Sequence, residues 1–233
     1  MMKRCISLVI GLLLLFAQTA TAFSTSTSYI DPQLTIEDLN SSAAIIAEYE
    51  QLGKQLMQTR SSRTLNIPLL SQLNSAWANT SMPCSCSDNH TYGQHGCGMT
   101  SCAMIVRFYG YSTATPVTVA NRYGSNCCNF VYSTLFNSYG LSSSSTQYIS
   151  ISTLTNSKNA IVGAIGTGKP VIMRLNNASD TAQNHFVVAY GFTSSGSSST
   201  IYIRDPYGGS YSTLEAYMNA HNGVFPRSVC IVG

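Results

Sequence analysis

The stretch from residue 185 to residue 206 constrains this chain more than any other part of it. His185-Phe-Val-Val-Ala-Tyr-Gly-Phe192 and Thr200-Ile-Tyr-Ile-Arg204 are rich in β-branched and aromatic residues, and the Ser- and Gly-rich residues 194–199 separate them. That pattern predicts an antiparallel hairpin. With a turn centred on residues 195–197, pairing puts His185 opposite roughly residue 206 or 207. Asp205 then lies beside His185, and Pro206 stops the ladder because it has no N–H to give. A carboxylate on the far nitrogen of an imidazole fixes its tautomer and supports its protonated form. After Arg63 the chain has only four acids, Asp88, Asp180, Asp205 and Glu215. One of them beside the strand-borne histidine is more than chance placement would give. The other histidines are His90 and His95 in a polar loop and His221 at the end of a short helix.

A second feature is Gly96-Cys97-Gly98-Met-Thr-Ser101, followed by the apolar Met104, Ile105, Val106 and Phe108. Small residues on both sides let backbone and ligand approach the sulfur, and the apolar run predicts a buried helix from about Cys97 to Tyr109, ended by Gly110. A cysteine at the positive end of a buried helix is favoured as a thiolate. Cysteine parity points to the same residue. Cys5 lies in an N-terminal export segment, which leaves Cys84, Cys86, Cys97, Cys102, Cys127, Cys128 and Cys230. An odd count in an exported chain leaves one thiol over. With Cys97 as that thiol, the other six can form up to three disulfides. Cys84-x-Cys86 with His90 and His95 has the residue types for zinc but not the spacing of a ribbon or finger, so neither a metal nor a cofactor is expected.

The export segment is residues 1–22: a basic start, an apolar run from Ile6 to Phe16, and Ala20-Thr21-Ala22 as a small-residue cleavage site. Eleven residues make about 16 Å of helix, short of the roughly 30 Å a bilayer core needs. The mature product is therefore expected to be secreted or periplasmic, with no membrane association. Only 9% of the chain is charged and the formal charge is +3, with no basic cluster beyond Lys3 and Arg4, so a nucleic-acid partner is not expected.

Residues 35–59 predict a helix with Ile45, Tyr49, Leu52 and Leu56 along one face. Arg60-Ser-Ser-Arg63 closes it as a polar, exposed stretch. Two readings of residues 23–64 stand: a helix packed permanently on the domain, or a propeptide cut near Arg60 or Arg63. From Leu65 to the end, residues 65–233, the pattern is a mixed domain. It predicts strands at Ile67–Leu70, Pro170–Leu175 and Ser228–Val232 besides the hairpin. Short helices are predicted after Thr115-Pro116, over residues 130–139 and over residues 158–166. Ser212 and Glu215 predict a capping box for a last helix, and residues 142–146 a surface loop. Helices first and strands later make the class α+β.

Taken in order, these motifs resemble the peptidase family thirty-nine-like domains, papain-fold relatives of the bacteriocin-leader peptidases. The likeness rests on Gln72 within Ile67-Pro-Leu-Leu-Ser-Gln72-Leu-Asn-Ser-Ala-Trp77, Gly96-Cys-Gly-Met-Thr-Ser-Cys-Ala-Met104, Gly168-Lys-Pro-Val171, His185-Phe-Val-Val188 and Asp205-Pro206. It covers about residues 65–232. It implies a papain-like fold in which a helical part carrying Cys97 faces a small antiparallel sheet, a Cys97–His185–Asp205 triad, and Gln72 as oxyanion-hole donor. A peptide or protein substrate follows from it. Two departures limit the carry-over: no export transporter is fused to the chain, so double-glycine specificity does not transfer, and the extra cysteines are unusual. A cell-wall amidase and a non-catalytic module on the same fold remain as rival expectations.

Overall fold

The computed structural model describes residues 36–84, 90–125, 127–148, 151–177, 184–196 and 198–233. The expected export segment, Cys86, Asp88 and Asp180 lie outside the described residues. Six strands form one antiparallel sheet: β1 (Ser61–Thr64), β2 (Ser143–Gln147), β3 (Val171–Asn177), β4 (His185–Ser195), β5 (Ser198–Arg204) and β6 (Val224–Val232). The order is β1-β4-β3-β6-β2, with β5 also on β4. The long strand β4 thus has β5 along one edge, and β3 then β1 along the other. Among the described residues, seven α-helices accompany it: α1 (Ile36–Gln58), α2 (Tyr92–His95), α3 (Cys97–Phe108), α4 (Pro116–Tyr123), α5 (Tyr132–Asn137), α6 (Leu154–Thr167) and α7 (Leu214–Ala220). The chain is therefore a mixed α+β protein around a small antiparallel sheet, compatible with a papain-like fold.

Consecutive residues Val171, Ile172 and Met173, Val187 to Ala189, and Val229 to Ile231 are all buried. Strand side chains alternate between faces, so both faces of the sheet are covered. Helix α3 covers one, where Gly98 meets Phe186 of β4 and Phe130. Helix α6 packs on β3, β4 and β6, and α1 lies on α6. At that crossing the backbones nearly touch. A Cβ on Gly53 would fall 1.8 Å from the Asn159 carbonyl oxygen, and one on Gly163 2.0 Å from that of Tyr49.

The α1 seam differs from the expected one. Ile45 is exposed and Ile46 is buried, and the buried line runs through Ile46, Tyr49, Gly53 and Leu56. Close approach at Gly53 turns the helix toward its small residue, which a hydrophobic count does not register. The stretch Arg60–Arg63 is exposed as expected except at half-buried Ser61, and most of it forms the edge strand β1, with Ser61 opposite Ser194 and Thr64 opposite Gly191. Arg63 also donates from Nη1 to Gly166 O at 2.6 Å.

Three further expectations change. Ile67–Leu70 is not a strand; Pro68 cannot donate to a ladder, and the segment is held instead by Arg204 Nε donating to Ile67 O at 3.1 Å. Residues 143–147 are strand β2, paired with β6 from Ser143↔Val232 to Gln147↔Ser228. The ladder is made by backbone groups, so a serine run conceals it. The last helix is capped by Thr213, whose hydroxyl oxygen accepts from Ala216 N at 3.1 Å. Glu215 does not close a box with Ser212. It accepts from Ile201 N at 3.1 Å and pairs with Lys158 at 2.6 Å.

Candidate active site

The hairpin forms as the pattern predicts, with a longer reach. Pairing runs from Ser195↔Ser198 to Val188↔Arg204, and a bulge between Ala189 and Gly191 shifts the register by one. Beyond Arg204 the ladder ends, and the Asp205 side chain turns to His185. His185 Nε2 lies 2.8 Å from Asp205 Oδ1. The same oxygen accepts from Tyr207 N at 2.9 Å, and Asp205 O accepts from Gly209 N at 2.9 Å. Asp205 is 1% exposed, so its negative charge is satisfied by hydrogen bonds and not by water.

Cys97 is the first residue of α3. Gly96 sits so close to α2 that a Cβ there would be 2.3 Å from Tyr92 O, and a Cβ on Gly98 would be 2.7 Å from Phe130. The two glycines are thus required by approach of neighbours on both sides of the sulfur. One turn on, the Ser101 hydroxyl donates to Phe186 O at 3.1 Å. Ser101 follows Cys97 by one turn and Phe186 follows His185 by one residue. That single bond therefore locks the helix to the strand in register. The Cys97 sulfur lies 4.0 Å from Asn184 O, the residue before His185, and Cys97 is one of the groups that raise the His185 pKa. With Nε2 on Asp205, Nδ1 is the nitrogen left for another partner.

Burial pulls the His185 imidazole toward its neutral form, but hydrogen bonds and charges from Asp205 and Cys97 outweigh it. The result is a pKa raised from 6.5 to about 9. Its neighbours thus favour the protonated form of the imidazole.

Gln72 is 2% exposed and lies between the two halves of the site. Its N–H donates to Pro206 O at 2.8 Å, next to Asp205. Its Nε2 donates to Gly93 O at 2.9 Å, four residues before Cys97. Its Oε1 has no hydrogen-bond partner among the described residues.

The parity argument for Cys97 does not hold as drawn. Cys84 is bonded to Cys128, while Cys102, Cys127 and Cys230 are free and buried alongside a free, partly exposed Cys97. What distinguishes Cys97 is access. Burial pushes the Cys102 and Cys230 thiols well above the ordinary range, and the Cys127 thiol up to about 11. Cys84, His90 and Cys128 bring three donor atoms within 4.8 Å of one another, and His90 stacks on His95. With both sulfurs in a disulfide, that group lacks the thiolates a metal would take.

Sequence reasoning missed two neighbours. Tyr217 of α7 lies flat on His185, and His221 lies flat on Tyr217. The i, i+4 spacing of Tyr217 and His221 was a visible signal, but their placement over His185 depends on how α7 docks. A family model described as the Peptidase_C39 like family matches residues 64–227. No curated protein matches the chain.

Proposed function

Because the chain belongs to the Peptidase_C39-like family, we propose that it is a cysteine peptidase with Cys97 as nucleophile, His185 as acid and base, Asp205 as orienting carboxylate and Gln72 as oxyanion-hole donor. One observation carries this reading. His185 Nε2 lies 2.8 Å from a buried carboxylate, and a free cysteine at a helix start, its sulfur 4.0 Å from the carbonyl of the preceding residue, is near enough to raise the imidazole pKa.

The chemistry follows from that arrangement. The Cys97 thiolate attacks the scissile carbonyl carbon, a C–S bond forms, and the carbonyl π pair moves onto oxygen. The first N–H groups of α3 have no intrahelical acceptor, so Cys97 N–H is available to that oxyanion. Gln72 Nε2 spends one hydrogen on Gly93 O and has a second to offer. Removing one such donor typically costs about 3 kcal/mol of barrier. As the C–N bond breaks, His185 Nδ1 hands its proton to the leaving amine. Water then loses a proton to the same nitrogen and attacks the thioester carbon. The C–S bond breaks, and thiolate and imidazolium are restored.

The domain is residues 65–233. Within residues 23–64, the pairing of β1 with β4 and the Gly53–Gly163 crossing favour residues 36–64 as a permanent part of the domain over a removable propeptide. The export segment and the Cys84–Cys128 disulfide suit an oxidising exterior, so the protein is read as secreted or periplasmic and its substrate as a peptide or protein.

The test is cleavage of a peptide library by the native protein, by Cys97→Ala and by His185→Ala. Each substitution should remove nearly all turnover with the fold intact, because nucleophile and base act as a unit. Turnover in His185→Ala would place the base elsewhere. Release of muropeptides from cell walls with no peptide cleaved would make the protein an amidase.

A further inference from the structure

We propose that Tyr217 is a positioning residue for His185: its ring lies flat against the imidazole and holds it at the angle at which one nitrogen meets Asp205 and the other faces Cys97. This rests on the reading of His185 as the base.

The rings are nearly parallel, 11° apart with centroids at 5.5 Å. A single hydrogen bond to Asp205 fixes one point of the imidazole and leaves the ring free to swing about it. A flat neighbour removes that swing. Tyr217 can do so only if it is itself held, and it is. His221 stacks on it at 4.3 Å and 19°. The His221 Nδ1–H donates to Tyr217 O at 2.9 Å. Tyr211 meets Tyr217 edge-on at 5.0 Å and His221 at 5.4 Å. The helix that carries them is anchored through Glu215 to Lys158 of α6 and to Ile201 N of β5.

Burial gives the ring a second effect. Tyr217 is 9% exposed beside an Asp205 that is 1% exposed. The ring thus adds cover over the His185–Asp205 hydrogen bond, and charge-assisted bonds are stronger where the dielectric is low. Its π face also attracts the imidazolium more than the neutral imidazole. The groups that face His185 are Asp205 after β5, Cys97 on α3 and Tyr217 on α7, with Tyr211 and His221 beyond Tyr217. The Tyr217 phenol is pushed up to about 12, first by burial and then by Asp205, Cys97 and Tyr211. It stays neutral over the working range and carries no proton in the reaction.

Two readouts separate positioning from support of the fold: the pH profile of Cys97 alkylation by iodoacetamide, and the split between kcat and KM on one peptide. Tyr217→Phe keeps the ring and should stay within about twofold of the parent. Tyr217→Leu should lower kcat about five- to tenfold at nearly constant KM. It should also move the alkaline limb down by about 0.5–1 pH unit. A Leu variant with the parental limb and kcat, or one whose whole loss is in KM, overturns the proposal. If Leu does not fold, Tyr217→Trp against Tyr217→Met gives the same contrast of flat ring against none. The parent itself reports on the underlying reading. If its Cys97 alkylates only above about pH 8.5, as an ordinary thiol does, the triad assignment fails. If the parent reacts well below that and the Leu variant matches it, only the role of Tyr217 fails.

Discussion

Gly163→Ala puts a methyl group where α1 and α6 cross. Its Cβ would lie 2.0 Å from Tyr49 O, 2.8 Å from Tyr49 C and 3.0 Å from Gly53 N. All three are backbone atoms in helices and cannot rotate aside. Restoring an ordinary contact of about 3.4 Å requires α1 to lift by more than about 1 Å, and a gap of that size forfeits roughly a quarter to a half of each dispersion contact along the seam. Overpacking of this kind costs about 1–3 kcal/mol. Alanine is otherwise favoured over glycine inside a helix by about 1 kcal/mol. A backbone clash this deep belongs at the upper end, so the net is a loss of about 2 kcal/mol. Gly166→Ala is the control on the same helix. Its nearest atom is Leu56 Cδ1 at 2.4 Å, the far end of a flexible side chain, so that variant should be near neutral. Urea unfolding at constant slope reads the difference as a shift in midpoint. Gly53→Ala combined with Gly163→Ala should cost less than the sum, since the first substitution already opens the contact that the second needs. A Gly163→Ala protein as stable as the parent would mean that α1 is not seated on α6 as described.

Asp205→Ala should lower kcat on a fluorogenic peptide by less than Cys97→Ala does, because the carboxylate orients the ring and takes no proton; an equal loss would make it a proton carrier. The raised His185 pKa also links stability to pH. A group lifted from 6.5 to about 9 contributes stability fully below 6.5 and loses it as pH rises through about 9. The unfolding free energy should therefore fall between those values by up to about 3 kcal/mol, read as a lower urea midpoint at constant slope, and His185→Gln should flatten that fall; a parental midpoint independent of pH would refute the linkage. A chain beginning at Thr64 loses α1 and most of β1, and should be less stable and less active than one beginning at Phe23. A more active short chain would make the removed segment an inhibitor.

The site was more legible in the sequence than the sheet around it. The turn position and strand periodicity of residues 185–204 put Asp205 beside His185, and the bulge between Ala189 and Gly191 moved the register by only one residue. The α3 helix was legible from its apolar run, and the short α4 from Thr115-Pro116, whose cap is formed by Thr115 and Thr118. Strands β1 and β2 were not legible, because Ser61–Thr64 and Ser143–Gln147 carry little apolar pattern and join the sheet through backbone ladders that any residue can make. The fate of the cysteines was not legible either. Pairing depends on which thiols the fold brings together, and Cys102 and Cys230 are buried as small core residues. Tyr217 reached His185 through the docking of α7, which Glu215 sets by contacts to residues far away in sequence.

The place of β6 in the sheet has a consequence for how the protein comes into being. Residues 224–232 fill the gap between β2, residues 143–147, and β3, residues 171–177. Until that late segment is made, β2 has no strand partner and β3 has only β4 on its other edge, so the sheet cannot close progressively as the chain emerges. Pairings this distant in sequence are slow to form, and until they do the unpaired edges of β2 and β3 stay open to other chains. A sheet assembled this way stays open through its middle until β6 inserts, so β6 is the strand that closes it.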